Sequence, residues 1–225
     1  MQVKKLWAVG LFAIAMAYLE SAVVVYLRRM YGLGDDLTKI PDFDRTITGI
    51  EIGREIATMF MLLAVGWIAG RRLQSKIAFA FFTFGIWDIF YYIWLWVFIG
   101  WPASPLTWDI LFLVPVPWWG PVISPVLSAS LMVVGGMVAI WVDDREWPIR
   151  PGKAEWGMLF AGMALALIAF MWDALGNLPL SPDEFDSIKP SSFPWGFYLP
   201  GLLLMGVAVW RTTWVNPRQK AEITA

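Results

Sequence analysis

Six apolar stretches, most of them near the length that a lipid bilayer requires, limit what this chain can fold into. In hydrocarbon every backbone N–H and C=O must find its partner inside the protein. A run of about 20 apolar residues therefore reads as a helix that crosses the membrane. The stretches lie at residues 6–27, 48–70, 77–100, 122–142, 156–172 and 193–210. Composition agrees: 59% of the residues are hydrophobic and 16% are charged, against about 45–50% and about 25% in ordinary soluble domains. Many of the 16 tryptophans stand where an apolar run meets a polar connection, as the aromatic belts of membrane proteins do. The expected fold is an all-α integral membrane protein, a single domain over residues 1–225 built as a bundle of six transmembrane helices.

Each run carries its own punctuation. Lys4 and Lys5 precede the first and Arg28 and Arg29 follow it. A cleaved signal peptide is the alternative for this run, with Ala15-Met16-Ala17 as its cleavage-like end. The apolar character continues ten residues further, interrupted by Glu20 and Ser21, which favours a retained span. The second run closes on Arg71 and Arg72; its purely apolar part, 56–70, is too short to cross alone, so the polar stretch 51–55 must lie at or inside the interface. Pro125 and Pro194 fall in the first turns of the fourth and sixth runs, where proline is tolerated, and Pro200 predicts a kink in the sixth.

Lysine and arginine orient the bundle. Eleven lie in the N-terminus, the 71–76 and 143–155 connections and the C-terminal tail, against five in the opposite connections. By the positive-inside rule both termini are cytoplasmic, in a multi-pass protein of the cell membrane. Two outer connections are expected to hold short helices. Ser104-Pro105 reads as a cap with proline at the first helical position, opening a helix over 105–114. At about 15 Å this helix cannot cross, so 101–121 is expected to form an interfacial or re-entrant hairpin between spans three and four. Ser181-Pro182-Asp183-Glu184 has the form of a capping box. The pair Trp-Asp recurs at 87–88, 108–109 and 172–173, a weak echo compatible with a parallel duplication of helix pairs.

Two missing residue types remove whole classes of chemistry. The chain has no cysteine and no histidine. Disulfides, thiolate catalysis, iron–sulfur clusters, His-ligated haem, Ser–His dyads and HExxH zinc sites are thereby excluded. Any bound metal must be a hard divalent cation such as Mg, Ca or Mn, held by carboxylates and carbonyls. A net charge of −1 gives no argument for nucleic acid as a partner. No lysine lies within a span to carry a Schiff base, and no helix holds the spaced arginines of a voltage sensor.

The ionisable residues within or beside the spans fall in the outer half of the membrane. Glu20 lies about 21 Å from the inner end of the first span and about 10 Å from the outer end. Glu51, Arg54 and Glu55 open the second helix, and Glu51 also fits a Thr48-x-x-Glu51 capping box. Asp88 sits near the middle of the third, with Tyr91 and Tyr92 three and four residues on. Asp109 and Asp173 stand at helix ends, where a plain dipole reading suffices. Arg28 and Arg29 are expected at the headgroups. Intramembrane charge is costly and marks function by default.

Glu20, Glu51, Arg54, Glu55, Asp88, Tyr91, Tyr92 and Asp109 are therefore the candidate ligand-binding residues, with Glu20, Glu55 and Asp88 as candidate metal ligands. Three classes of function fit them. One is binding or transport of a cation or cationic small ligand from the outer side, which is the preferred reading. The second is a carboxylate- or metal-dependent intramembrane enzyme acting on lipid or isoprenoid substrates. The third is a non-catalytic subunit or assembly factor of a larger membrane complex, or a homo-oligomer, in which these charges form an interhelical clamp.

Overall fold

A computed structural model describes residues 4–32, 45–112, 116, 118–177 and 192–215. Its helices follow the apolar runs closely. They are α1 (Lys5–Met30), α2 (Arg45–Ala69), α3 (Leu73–Ile99), α4 (Ile123–Asp144), α5 (Lys153–Phe170), the short α6 (Trp172–Gly176) and α7 (Trp195–Trp210). A π-helical turn, Arg211–Val215, prolongs α7. Two strands, β1 (Trp108–Phe112) and β2 (Trp118–Pro121), separate α3 from α4. By length and composition, α1 to α5 qualify as membrane-crossing helices. The chain is thus a mostly helical, multi-pass membrane protein. The expected cap over residues 181–186 lies outside the described residues.

The bundle is held by close helix crossings at small residues, the device that replaces the hydrophobic effect where lipid is the solvent. α3 is its centre and packs on α1, α2 and above all α4. At the α3–α4 crossing a Cβ added to Gly85 would lie 2.6 Å from the carbonyl oxygen of Ala129, and one on Gly136 would lie 2.7 Å from that of Ala78. α5 and α7 form a second tight pair, in which Gly162 and Gly201 each face the other's carbonyl at 2.6 and 2.7 Å. α5 packs on α7 rather than on α4, so the α2–α3 and α4–α5 pairs are not packed alike. The three Trp-Asp pairs also land in unlike settings: mid-α3, β1 and the first turn of α6.

Strands, not a helix, occupy the connection between α3 and α4. β1 and β2 pair antiparallel, with Trp108 opposite Pro121, Asp109 opposite Gly120 and a bulge between Ile110 and Phe112. The helix expected over 105–114 is corrected on physical grounds. Ser104 and Thr107 close a turn on themselves, with the Ser104 hydroxyl accepting from the Leu106 amide and the Thr107 amide bonding the Ser104 carbonyl. The segment Trp-Asp-Ile-Leu-Phe of β1 is rich in aromatic and branched side chains suited to a pleated surface. Backbone bonds from Val122 to Thr107 (2.9 Å) and from Ile123 to Pro105 (2.8 Å) then tie the hairpin to the start of α4. Trp119 is buried beneath it, and Trp118 stacks on Phe170 of α5.

The opposite end of the bundle carries the basic turns. Lys5 donates to the last carbonyl of α2, on Ala69, at 2.6 Å. Gln74 bonds the carbonyl of Trp147 and the amide of Ile149, joining the α2–α3 and α4–α5 turns. Glu155 is buried; it accepts from the Gly152 amide at the start of α5 and from Arg211 Nε at 2.9 Å, fixing the π-helical turn.

Candidate functional site

The stripe that α1 turns inward reads Val9, Ala13, Ala17, Glu20, Ser21 and Arg28, a spacing of about four residues that keeps one helix face toward the bundle. Near the basic end this stripe is apolar, and toward the hairpin end it becomes charged. Ser21 bonds the carbonyls of Ala17 and of Tyr91, 2.9 and 3.0 Å away, which locks α1 to α3. The neighbouring turn of α2 delivers Arg54. Its Nη1 donates to Glu20 Oε1, while Nε and Nη2 reach Glu51 Oε2 at 2.9 and 2.8 Å. Thr58, 1% exposed, donates to the other oxygen of Glu20 at 3.1 Å. One guanidinium thus holds two carboxylates, and a hydroxyl completes the buried one. Thr48 lies inside α2, which already begins at Arg45, so Glu51 binds Arg54 rather than closing a cap.

Glu55 is different. It shares a helix face with Thr58, Leu62 and Gly66, three, seven and eleven residues on, and all three are buried. Glu55 itself is exposed, as is Ile52 beside it. Close to the basic end α2 and α3 touch so tightly that a Cβ on Gly66 would lie 2.5 Å from the Ala80 amide. Toward the hairpin end, Arg54 and Thr58 join α2 to Glu20 of α1 instead. Glu55 takes no part in that junction. It makes no hydrogen bond or ion pair with any described residue, although the charge of Arg54 reaches it. On α3, Tyr91 lies in the fields of Arg54, Glu55, Asp88 and Asp109 together.

A second polar group lies on the other side of α3, under the hairpin. Tyr92, 7% exposed, donates to Asp109 Oδ2 at 3.0 Å, and the Ile110 amide donates to Oδ1 at 2.9 Å. Burial pushes the Asp109 carboxyl up from 3.8 to about 7; these two hydrogen bonds and the charge of Arg28 oppose the rise, and Asp88 adds to it. Arg28 is 7% exposed and faces inward, so of the two arginines expected at the headgroups only Arg29 is exposed. Asp88, at mid-α3, has no hydrogen bond or ion pair with a described residue, but its charge is felt at Tyr91, Tyr92, Asp109 and Tyr198. Tyr198 of α7 bonds Ser128 at 3.0 Å and the Ser124 carbonyl.

The expected residues thus gather into two groups, Glu20–Glu51–Arg54–Glu55 and Asp88–Tyr92–Asp109, with Tyr91 between them. Among the described residues no three carboxylates are placed to hold a metal ion, because Glu20 is taken by Arg54 and Thr58 while Asp88 lies in the other group. Asp173 stands apart, in the first turn of α6. Sequence reasoning missed Thr58, Ser128, Tyr198 and the inward turn of Arg28. Thr58 had a legible signal, four residues after Arg54, whereas Tyr198 depends on how α7 docks. Comparison of the sequence with protein-family models, with curated proteins and with solved structures found no match.

Proposed function

We propose that this is a six-span cell-membrane protein that binds a small organic cation from the outer side, with Glu55 as the carboxylate that receives it. The sixth span is α7: its 16 residues cover about 24 Å, and the π-helical turn extends it. The excess of lysine and arginine at the basic end supports cytoplasmic termini and an outward hairpin end. One observation carries the binding reading. Arg54 is already committed to Glu20 and Glu51, which leaves Glu55 exposed and unpaired among three carboxylates and one guanidinium. An acid so placed attracts cations, and Tyr91, which feels the Glu55 charge, would offer an aromatic face to an ammonium group. Uptake or export of such a cation is the activity this site would serve.

Titration of the purified protein with tetramethylammonium, read by calorimetry, tests the proposal. Wild type binds it in preference to sodium at equal ionic strength, and Glu55→Gln weakens binding at least tenfold, which corresponds to about 1.4 kcal/mol. Equal binding by both proteins, or none by either, defeats it. The satisfied Glu20–Arg54–Glu51 clamp also suits a second reading, a non-catalytic subunit of a larger membrane complex. Recovery of a stoichiometric membrane partner after gentle solubilisation would favour that role.

A further inference from the structure

At the basic end of the bundle the arginines and the lysines keep different company. Arg71 and Arg72 border one cavity with Asp143, Asp144 and Glu146 at the end of α4, and Arg72 bonds Glu146 at 3.1 Å. Lys5 instead donates to the Ala69 carbonyl at 2.6 Å. The next residue, Gly70, meets the backbone of Lys76 so closely that a Cβ on it would lie 2.3 Å from the Lys76 amide. Lys5 and Lys76 therefore flank the same two residues at the end of α2. The Lys76 ammonium lies 4.1 Å from the centre of the Trp67 ring. Lys4 is exposed beside Lys5, and its side chain makes no capping bond to α1.

This corner holds no acid. Residues 4–19, 56–70 and 73–87, the stretches of α1, α2 and α3 that run from it, contain no Asp or Glu. None of the three lysines makes an ion pair with a described residue. An ammonium carries three N–H donors; Ala69 takes one from Lys5 and the indole faces one side of Lys76, so both keep donors for an anion. Apolar surface begins where the lysines end: Trp67 is 58% exposed, and Leu63, Ile77 and Phe81 are exposed too. In a bilayer such a boundary falls at the headgroups, where tryptophan rings settle and lysine stems carry their charge into the polar layer.

We propose that this corner binds the headgroup of an anionic phospholipid. Its phosphodiester oxygens accept from Lys5 and Lys76, Lys4 adds charge, and its acyl chains lie along the exposed apolar side chains of α2 and α3. The occupant must be anionic above the boundary and apolar below it, which a phospholipid is and a free anion is not. The site stands at the opposite end of the bundle from Glu55 and does not depend on cation binding there.

Native mass spectrometry of the full chain, released from detergent holding equal amounts of dioleoyl phosphatidylglycerol and dioleoyl phosphatidylcholine, tests the site. Wild type should retain phosphatidylglycerol in preference. Lys5→Gln and Lys76→Gln should each cut that retention about fivefold, the effect of one basic charge beside anionic lipid, and Lys76→Arg should keep it. Lys153→Gln, at the start of α5 in the same basic end, should leave it unchanged. Inorganic phosphate, at an ionic strength matched with chloride, should not displace the lipid. Lys5→Gln also disturbs the bond to Ala69, so Lys76→Gln decides if that variant fails to fold. Equal retention of both lipids by wild type, or unchanged retention in Lys76→Gln, overturns the proposal. So does an equal loss in Lys153→Gln, which would mean diffuse attraction, or displacement by phosphate, which would mean a site for a free anion.

Discussion

Replacing Arg54 by methionine should be among the most damaging single changes in the hairpin half of the bundle. The substitution keeps much of the side-chain volume but leaves Glu20 without its guanidinium and Glu51 without its partner at 2.8 Å. Breaking a buried ion pair from one side costs about 3–5 kcal/mol. Arg54 keeps 21% of its side-chain surface exposed and Glu51 16%, against 9% for Glu20, so residual solvation places the cost at the low end, about 3 kcal/mol. That is about a hundredfold in the ratio of folded to unfolded protein. Glu20→Gln should cost less, about 1–1.5 kcal/mol, because Gln still accepts from Thr58 and Arg54 still holds Glu51. The double variant should recover part of the Arg54→Met loss. Reversible unfolding in mixed micelles would give the order. An Arg54→Met protein within about 0.5 kcal/mol of wild type, or a Glu20→Gln protein less stable than it, would refute the clamp as the link between α1 and α2.

Other substitutions probe the helix crossings and the hairpin. Gly136→Val should lower thermal stability by at least the 1–3 kcal/mol typical of overpacking, because even its Cβ would meet Phe82 and the Ala78 carbonyl. Gly53→Ala, with nothing within 4 Å, should be near neutral in the same melt. Asp109 titrates at about 7 in the fold against 3.8 ordinarily. Between those values the folded state holds the extra proton, so this group's contribution to stability falls as pH rises from about 4 to about 7 and is level beyond. Asp109→Asn should flatten that slope while keeping an acceptor for Tyr92, and melting curves across this pH window would show it.

The helical skeleton was legible because lipid leaves the backbone so few options. Runs of apolar residues place α1 to α5 within a few residues of their observed ends, and α7 likewise. The segment after α3 was not legible. Ser104-Pro105 has the chemistry of a helix start, and only the pairing of β1 with β2 and the ties to α4 decide for strands, which is long-range information. The charges were found as a set but not as pairs. Arg54 and Glu51 are neighbours on one helix face and readable locally, whereas Arg54 with Glu20 requires the relative height of α1 and α2. The burial of Arg28 likewise depends on how α1 docks in the bundle. Glu55 was singled out as the acid without a partner in its own helix, and it is exposed with no ion pair among the described residues.

The chain has no cysteine, so a thiol at position 55 can report from which side of the membrane this position is reached. In right-side-out vesicles, Glu55→Cys should react with a membrane-impermeant thiosulfonate added outside. A cationic reagent should be faster than an anionic one, since Glu20 and Glu51 outweigh Arg54. A thiol replacing Arg150, in the basic turn, should react only when the reagent reaches the inner face. Labelling of position 55 from the inside alone, or no labelling from either side, would contradict an outward-facing acidic site at Glu55.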